Sequence, residues 1–219
     1  MLKLLFSRPR SSAFRILCLG AHSDDLEIGC GGTILQLLNQ HKNANVRWVV
    51  FSSDRTRAKE ARHSAERFLK RAARKEITIK SFRDGFLPYT GTQVKEFFEG
   101  LKPFAPDLIL THYRHDLHQD HRLLCELTWN TFRDHTILEY EIPKYDGDMG
   151  TPNFFVPLEE EICSQKTDYL LESFQSQRDK HWFTAETFRS MLRLRGLECR
   201  SETGYAEAFY ARKIVLEQE

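Results

Sequence analysis

The chain has 219 residues, 41% of them hydrophobic, and its 32 Lys and Arg against 31 Asp and Glu give a formal net charge of +1. That length suits one large domain with a substantial core, and the balanced charge gives no electrostatic case for a nucleic-acid partner. Five scattered cysteines without a Cys-x-x-Cys pair argue for a reducing, cytoplasmic setting. The apolar patch of residues 1–6 is broken by Arg8-Pro9-Arg10, and no apolar run approaches the roughly 20 residues of a membrane span.

Residues 1–13 read as a loose lead-in, and residues 14–219 as one domain. A strand is expected near Phe14–Leu19, then a loop holding Ala21-His22-Ser23-Asp24-Asp25 and Gly29-Cys30-Gly31-Gly32, then a helix from about Thr33 to Asn39. Val46–Phe51, apolar apart from Arg47, suits a strand buried on both faces of a parallel sheet. Ser52-Ser53-Asp54 offers caps for a long charged helix reaching about Ala73. The basic residues of that helix read as a solvated face. Ile77-Thr78-Ile79 is a short strand, and Asp84-Gly85 and Pro88 mark a loop. A helix follows from Thr92 to Leu101, stopped by Pro103 and Pro106, and Leu108–Thr111 is the next strand. Beyond a helix starting near His121, Ile137–Ile142 and Phe154–Pro157 read as strands and Leu158–Phe174 and Thr184–Leu194 as helices. Ala206–Val215 reads as a closing strand. Strands alternating with helical connections predict an α/β fold, a doubly wound, mainly parallel, Rossmann-like sheet with helices on both faces.

Two strand ends carry the chemistry. The first delivers His22, Asp24 and Asp25; the second, after Leu108-Ile109-Leu110, is followed by His112, His115, Asp116, His118, Asp120 and His121. In open α/β sheets ligands bind at the carboxyl ends of strands. The glycines at 29, 31 and 32 do not make G-x-G-x-x-G, since position 34 is Ile, and no P-loop is present. Zinc hydrolases use three His and carboxylate ligands and keep a position for water. His22 and Asp25 reach one ion together from a single turn, and the 112–121 segment supplies a third ligand, with His115, His118 and His121 all at compatible spacing. Asp120 is placed to fix an imidazole tautomer, and Asp24 is left as a general base. Arg57 either pairs with Glu60 along its helix or points into the cleft. The glycines read as sites of close approach or of positive φ.

Ala21-His22-x-Asp24-Asp25, Gly29-x-Gly31-Gly32 and His118-x-Asp120-His121 together resemble the PIG-L/LmbE family of zinc-dependent N-deacetylases. Arg57-x-x-Glu60, Arg83-Asp84-Gly85 and Tyr205-Ala206-Glu207-Ala208-Phe209 agree, so the resemblance spans about residues 14–212. It implies that His22, Asp25 and His121 bind one zinc ion, with iron or another divalent ion as alternatives. It further implies Asp24 as general base and His118 as the group that stabilises the tetrahedral intermediate and protonates the leaving amine, oriented by Asp120. Arg57 and Asp116 are candidate substrate contacts, Asp116 alternatively touching the His118 ring. The implied substrate is an N-acetylglucosamine-type sugar or glycoconjugate, and a homo-oligomer is compatible. The rival readings are another metal-dependent amidase or esterase on a sugar conjugate, and a catalytically degenerate sugar-binding module. One departure is Ser23, where the family usually has proline, which removes the restriction of φ at that turn. Phe86, Tyr89, Trp129, Tyr145 and Phe154 are candidates either for stacking on a sugar or for core packing.

Overall fold

The computed structural model describes residues 13–215, so the expected lead-in lies, apart from Ala13, outside the described residues. Seven strands make one sheet: β1 Phe14–Gly20, β2 Ala44–Ser52, β3 Arg74–Phe82, β4 Leu108–His112, β5 Thr136–Tyr140, β6 Phe154–Pro157 and β7 Ala206–Ala211. Their order is β3-β2-β1-β4-β5-β7-β6. The first five pair in parallel, and only β7 runs against its neighbours. Helices α1 Asp25–Gln40, α2 Arg55–Phe68, α3 Gly91–Leu101, α4 Gln119–Thr131, α5 Glu160–Ser173 and α6 Ala185–Glu198 cover both faces. The doubly wound α/β architecture is the one the alternation of strands and helices predicts.

Alternate strand residues feed two cores. Ile16, Cys18, Val46, Trp48 and Val50 pack with Leu26, Ile34, Phe68 and Leu170 on one face. Leu17, Leu19, Val49 and Phe51 pack with Phe98 and Leu124 on the other. Strands covered on both faces need apolar residues at nearly every position, which made these runs legible.

Several boundaries differ. The first helix begins at Asp25, not Thr33: glycine's low helix propensity argued for a loop, but packing overrides it. An added Cβ at Gly29 would lie 2.2 Å from the Tyr140 ring, at Gly31 2.6 Å from Phe68, and at Gly32 2.5 Å from Leu158. The second helix ends at Phe68 rather than near Ala73, and β3 is longer than Ile77–Ile79. As an edge strand with charged, exposed residues at its start, β3 lacks the apolar run of its neighbours. The fifth strand stops at Tyr140 rather than Ile142. The seventh stops at Ala211 rather than Val215, after which Arg212 and Lys213 lie over the Trp129 ring. All five cysteines are free, and among the described residues no helix is long and apolar enough to cross a membrane.

The strand order fixes where a site can form. From β1 the chain winds outward through β2 and β3, and from β4 it winds the other way through β5. The crevice beyond the carboxyl ends of β1 and β4 is therefore the topological switch point. Both His/Asp segments emerge there.

Candidate metal centre at the switch point

Backbone bonds bring the two segments together. The Ala21 N–H donates to His112 Nε2 at 2.9 Å, tying the end of β1 to the last residue of β4. One turn later Asp25 Oδ2 accepts the His22 N–H at 2.6 Å and opens α1. Across the crevice His118 caps α4, its Nδ1 accepting the Asp120 N–H at 3.2 Å. The first turn of that helix then places His121 against His22.

Three atoms converge as a result. His22 Nδ1 and His121 Nε2 are 3.1 Å apart, and Asp25 Oδ2 lies 3.4 Å from the first and 3.5 Å from the second. Ligands bound tetrahedrally to zinc at its usual lengths sit about 3.3 Å from one another. Each imidazole has its second nitrogen engaged elsewhere: His121 Nδ1 donates to Asp116 Oδ2 at 2.8 Å, and His22 Nε2 faces Asp84 at 3.0 Å and Asp120 at 3.3 Å. Outer carboxylates of this kind fix the tautomer that leaves the facing nitrogen free to ligate. Two imidazole nitrogens and a carboxylate oxygen this close require a proton or a cation among them, and the donor set fits a divalent ion.

Three other groupings fit less well. His22, His118 and His121 also meet, but that set has no carboxylate and His118 Nδ1 already takes the Asp120 N–H. His112 Nε2 is 3.2 Å from Asp25 Oδ2, but its lone pair already takes the Ala21 N–H. Its ring stacks on His121 at 3.8 Å between centroids, so His112 backs the site. A cation held by His22 Nε2, Asp84 and Asp120 would share Asp120 Oδ2 with the Gly85 N–H it accepts at 2.8 Å, and its Asp84 ligand is exposed.

Charge and burial set the protonation states. Burial works against the imidazolium of His22, yet the Asp25, Asp120 and Asp84 carboxylates hold its pKa well above the ordinary histidine range. Burial also opposes ionisation of Asp25, but His121, His112 and His22 bring its pKa well below the usual range. Burial, reinforced by His112, pushes His121 down to about 4. Burial lowers His118 as well, helped by His22. Asp24 is raised by burial, with the Arg57 guanidinium pulling the other way.

Each sequence candidate has a definite place. Asp24 occupies the N-cap position of α1 but makes no side-chain cap bond; its Oδ1 accepts instead from Arg57 at 2.7 Å. Arg57 therefore points into the cleft. Glu60, its alternative partner, is taken by Ser176. Asp116 serves the His121 ring rather than the His118 ring. Asp120 was expected to orient His118, but only its backbone N–H reaches that residue. Its carboxylate faces His22 and accepts the Gly85 and Leu87 N–H groups, because the loop after β3 closes over that side. Gly85, at φ +76, makes the turn possible. The His118 ring is 4.7 Å from both His22 and His121. His115 stays exposed against Tyr113. Ser23 is buried and bonds Ser53 across the loops after β1 and β2. Phe86, Tyr89 and Tyr145 are exposed, whereas Trp129 bonds Glu139 and Phe154 packs on Phe209.

Sequence reasoning missed the supporting roles of Tyr140, which donates to Leu19 O at 2.7 Å, and of Glu207. The Glu207 carboxylate accepts the N–H groups of Gly32 and Thr33 inside α1 at 2.8 and 2.6 Å. Lys166 spans that same carboxylate and Ile28 O. The one signal for Glu207 was its place in the Tyr205–Phe209 motif.

The sequence pattern of the PIG-L family, described as GlcNAc-PI de-N-acetylase, matches residues 17–132, more than half of the chain. The chain belongs to the PIG-L family. Solved structures of similar fold include N,N'-diacetylchitobiose deacetylase from Pyrococcus horikoshii. It is 22% identical with a TM-score of 0.71, over 90% of this chain and 83% of that one. Another is the zinc-inhibited form of teicoplanin deacetylase Orf2, 15% identical with a TM-score of 0.67, over 90% and 97%. A third is GalB, the 4-carboxy-2-hydroxymuconate hydratase of Pseudomonas putida KT2440, 15% identical with a TM-score of 0.73, over 94% and 99%. At such identities these likenesses concern the fold alone, and the fold hosts more than one chemistry.

Proposed function

We propose that this PIG-L family protein is a metal-dependent N-deacetylase acting on an N-acetylglucosamine-type sugar or glycoconjugate. The observation that carries the reading is the convergence of His22 Nδ1, Asp25 Oδ2 and His121 Nε2 beside a buried carboxylate, Asp24, that is not one of the three. A divalent ion held by those three atoms supplies a Lewis acid that activates water near neutral pH. Asp24 takes the proton of the attacking water, its pKa lifted by burial toward the working range of a base and kept from rising further by Arg57. His118 is held neutral, and its Nδ1 is spent on the Asp120 N–H, so Nε2 carries the proton. That N–H stabilises the carbonyl oxygen as negative charge builds, and the proton taken up by Asp24 passes to the departing amine, which returns Asp24 to its ionised form. Asp116 and Asp120 orient His121 and His22. Zinc is the ion the donor set suits best; iron(II) fits the same two imidazoles and carboxylate.

The experiment is metal analysis of protein purified without added metal, beside His22→Ala and His121→Ala, followed by acetate release from N-acetyl sugars. The expected result is about one equivalent of divalent metal in the parent and little in either variant. Asp24→Asn should keep the metal and lose roughly 10²–10⁴-fold in turnover. A parent that neither contains nor takes up metal removes the reading, and so does full turnover by Asp24→Asn.

A further inference from the structure

The segment after β5 returns to the metal centre through one side chain that lies beyond the residues matched by the family pattern. Lys144 Nζ is 2.9 Å from Asp116 Oδ2, the same oxygen that accepts the His121 Nδ1–H. It also lies 2.5 Å from Asp148 Oδ2, which accepts the Leu117 N–H at 2.7 Å. Gly147, at φ +64, turns the chain so that both ends of this short segment face the ammonium. The Lys144 side chain is largely buried. At the far end of the segment, Arg195 donates to Gly150 O at 3.3 Å.

One cation therefore sits between two carboxylates with different duties. Asp116 holds the imidazole of His121; Asp148 belongs to the segment carrying the exposed Tyr145 and Met149. Without the ammonium, two anions would face each other in a poorly solvated place, where like charges repel far more strongly than in water. Asp116, whose Oδ1 also accepts the His118 N–H at 2.8 Å, is the member bonded to the metal centre, and repulsion on its Oδ2 loosens the bond to His121. A ligating histidine that loses its outer acceptor loses its fixed tautomer and direction.

We infer that Lys144 is a positioning residue: it balances Asp116 against Asp148, holds the His121 Nδ1–H on Asp116, and fastens segment 143–150 beside the site. The effect on metal binding rests on the reading of His121 as a ligand; the effect on the His121 tautomer does not.

The test uses the full chain and five proteins: parent, Lys144→Met, Lys144→Arg, Asp148→Asn and the double variant Lys144→Met/Asp148→Asn. Zinc affinity is read by competition with a chromophoric chelator, and the protonated nitrogen of His121 by ¹⁵N NMR of the metal-free protein. Lys144→Met should bind zinc about 10-fold more weakly, at the low end of what outer-ligand changes cost. It should also show a mixture of His121 tautomers where the parent shows Nδ1–H alone. Lys144→Arg should behave like the parent. Asp148→Asn alone should change neither reading. The double variant should recover most of the loss, because the repulsion is gone. A folded Lys144→Met with parental zinc affinity and a single His121 tautomer overturns the proposal, as does a double variant no better than the single. A parent that binds no zinc removes the metal reading, and the tautomer measurement still decides the role of Lys144.

Discussion

At the scale of single residues, the site is a set of carboxylates each committed to a different partner. Asp25 faces three imidazoles, Asp116 holds His121, Asp120 holds His22 and the loop after β3, and Asp24 holds Arg57. The sequence displayed all four, and its spacing paired His22 with Asp25, while His121 as the third member of the cluster came from the family resemblance. Which imidazole Asp116 and Asp120 serve was not legible. Both lie within a few residues of His118 and His121, so local spacing allows either, while His22 arrives from the end of a strand 98 residues away from Asp120. Arg57 was ambiguous for the same reason, since Glu60 at i+3 is a plausible partner until Ser176 is seen to occupy it. The Arg57–Asp24 pair makes a prediction with a definite sign. The guanidinium favours the ionised carboxylate, so Arg57→Met should raise the Asp24 pKa further above the usual carboxylate range. The acid limb of kcat/KM against pH should then move to higher pH, with metal content unchanged. An acid limb that stays in place would mean that Asp24 is not the base whose ionisation the profile reports.

At the scale of elements, the first helix was the least legible and the most consequential. Three glycines within four positions argue against a helix when propensity is read alone. They exist because three different elements press against α1: Tyr140 from β5 at Gly29, Phe68 from α2 at Gly31, and Leu158 with Glu207 at Gly32. Tyr140 then bonds Leu19 O and touches His112 Nε2, so the close approach at Gly29 also steadies the end of β1. No pattern in one sequence announces contacts of that range. The same reasoning separates two identical substitutions. Gly29→Ala drives a methyl into the buried Tyr140 ring and should destabilise by about 1–3 kcal/mol, the usual cost of overpacking. Gly100 lies near the end of α3 with nothing within 4 Å of an added Cβ. Gly100→Ala should therefore stabilise by roughly 0.4–1 kcal/mol, because the unfolded chain loses freedom and nothing is displaced. Chemical denaturation of the two variants checks the sign; a stabilised Gly29→Ala would show that α1 is free to move away from β5.

At the scale of the whole molecule, the fold gathers charged groups into a crevice and buries some of them outright. Parallel strands and helical crossovers could be read from apolar runs, which put both His/Asp segments at carboxyl ends of strands; that those ends are neighbours at the switch point follows from the strand order of the folded chain. What the runs could not show is which charges are carried inside. Glu27 on α1 is wholly buried, and among the described residues neither carboxyl oxygen makes a well-formed hydrogen bond. Burial raises its pKa to about 8; Asp24 and Asp25 at the start of its own helix add repulsion, and the Ser64 hydroxyl of α2 opposes. From β1 the Cys18 thiol is the neighbouring titratable group, itself pushed up by burial and by Glu27. In the unfolded chain a glutamate titrates near 4.3. Between that value and about 8 the folded protein holds a proton that the unfolded chain has released. Stability from this group is thus complete below the unfolded pKa and declines as pH rises through the folded one. The whole decline is on the order of 5 kcal/mol at one pKa unit per 1.36 kcal/mol. Glu27→Gln removes the titration while keeping the shape, so the variant should match the parent near pH 4 and exceed it increasingly toward pH 8. Melting temperatures of both proteins across that range decide the matter: parallel curves would mean that Glu27 reaches water or a partner, and a widening gap would place an uncharged carboxyl in the core beside the turn that carries Asp24 and Asp25.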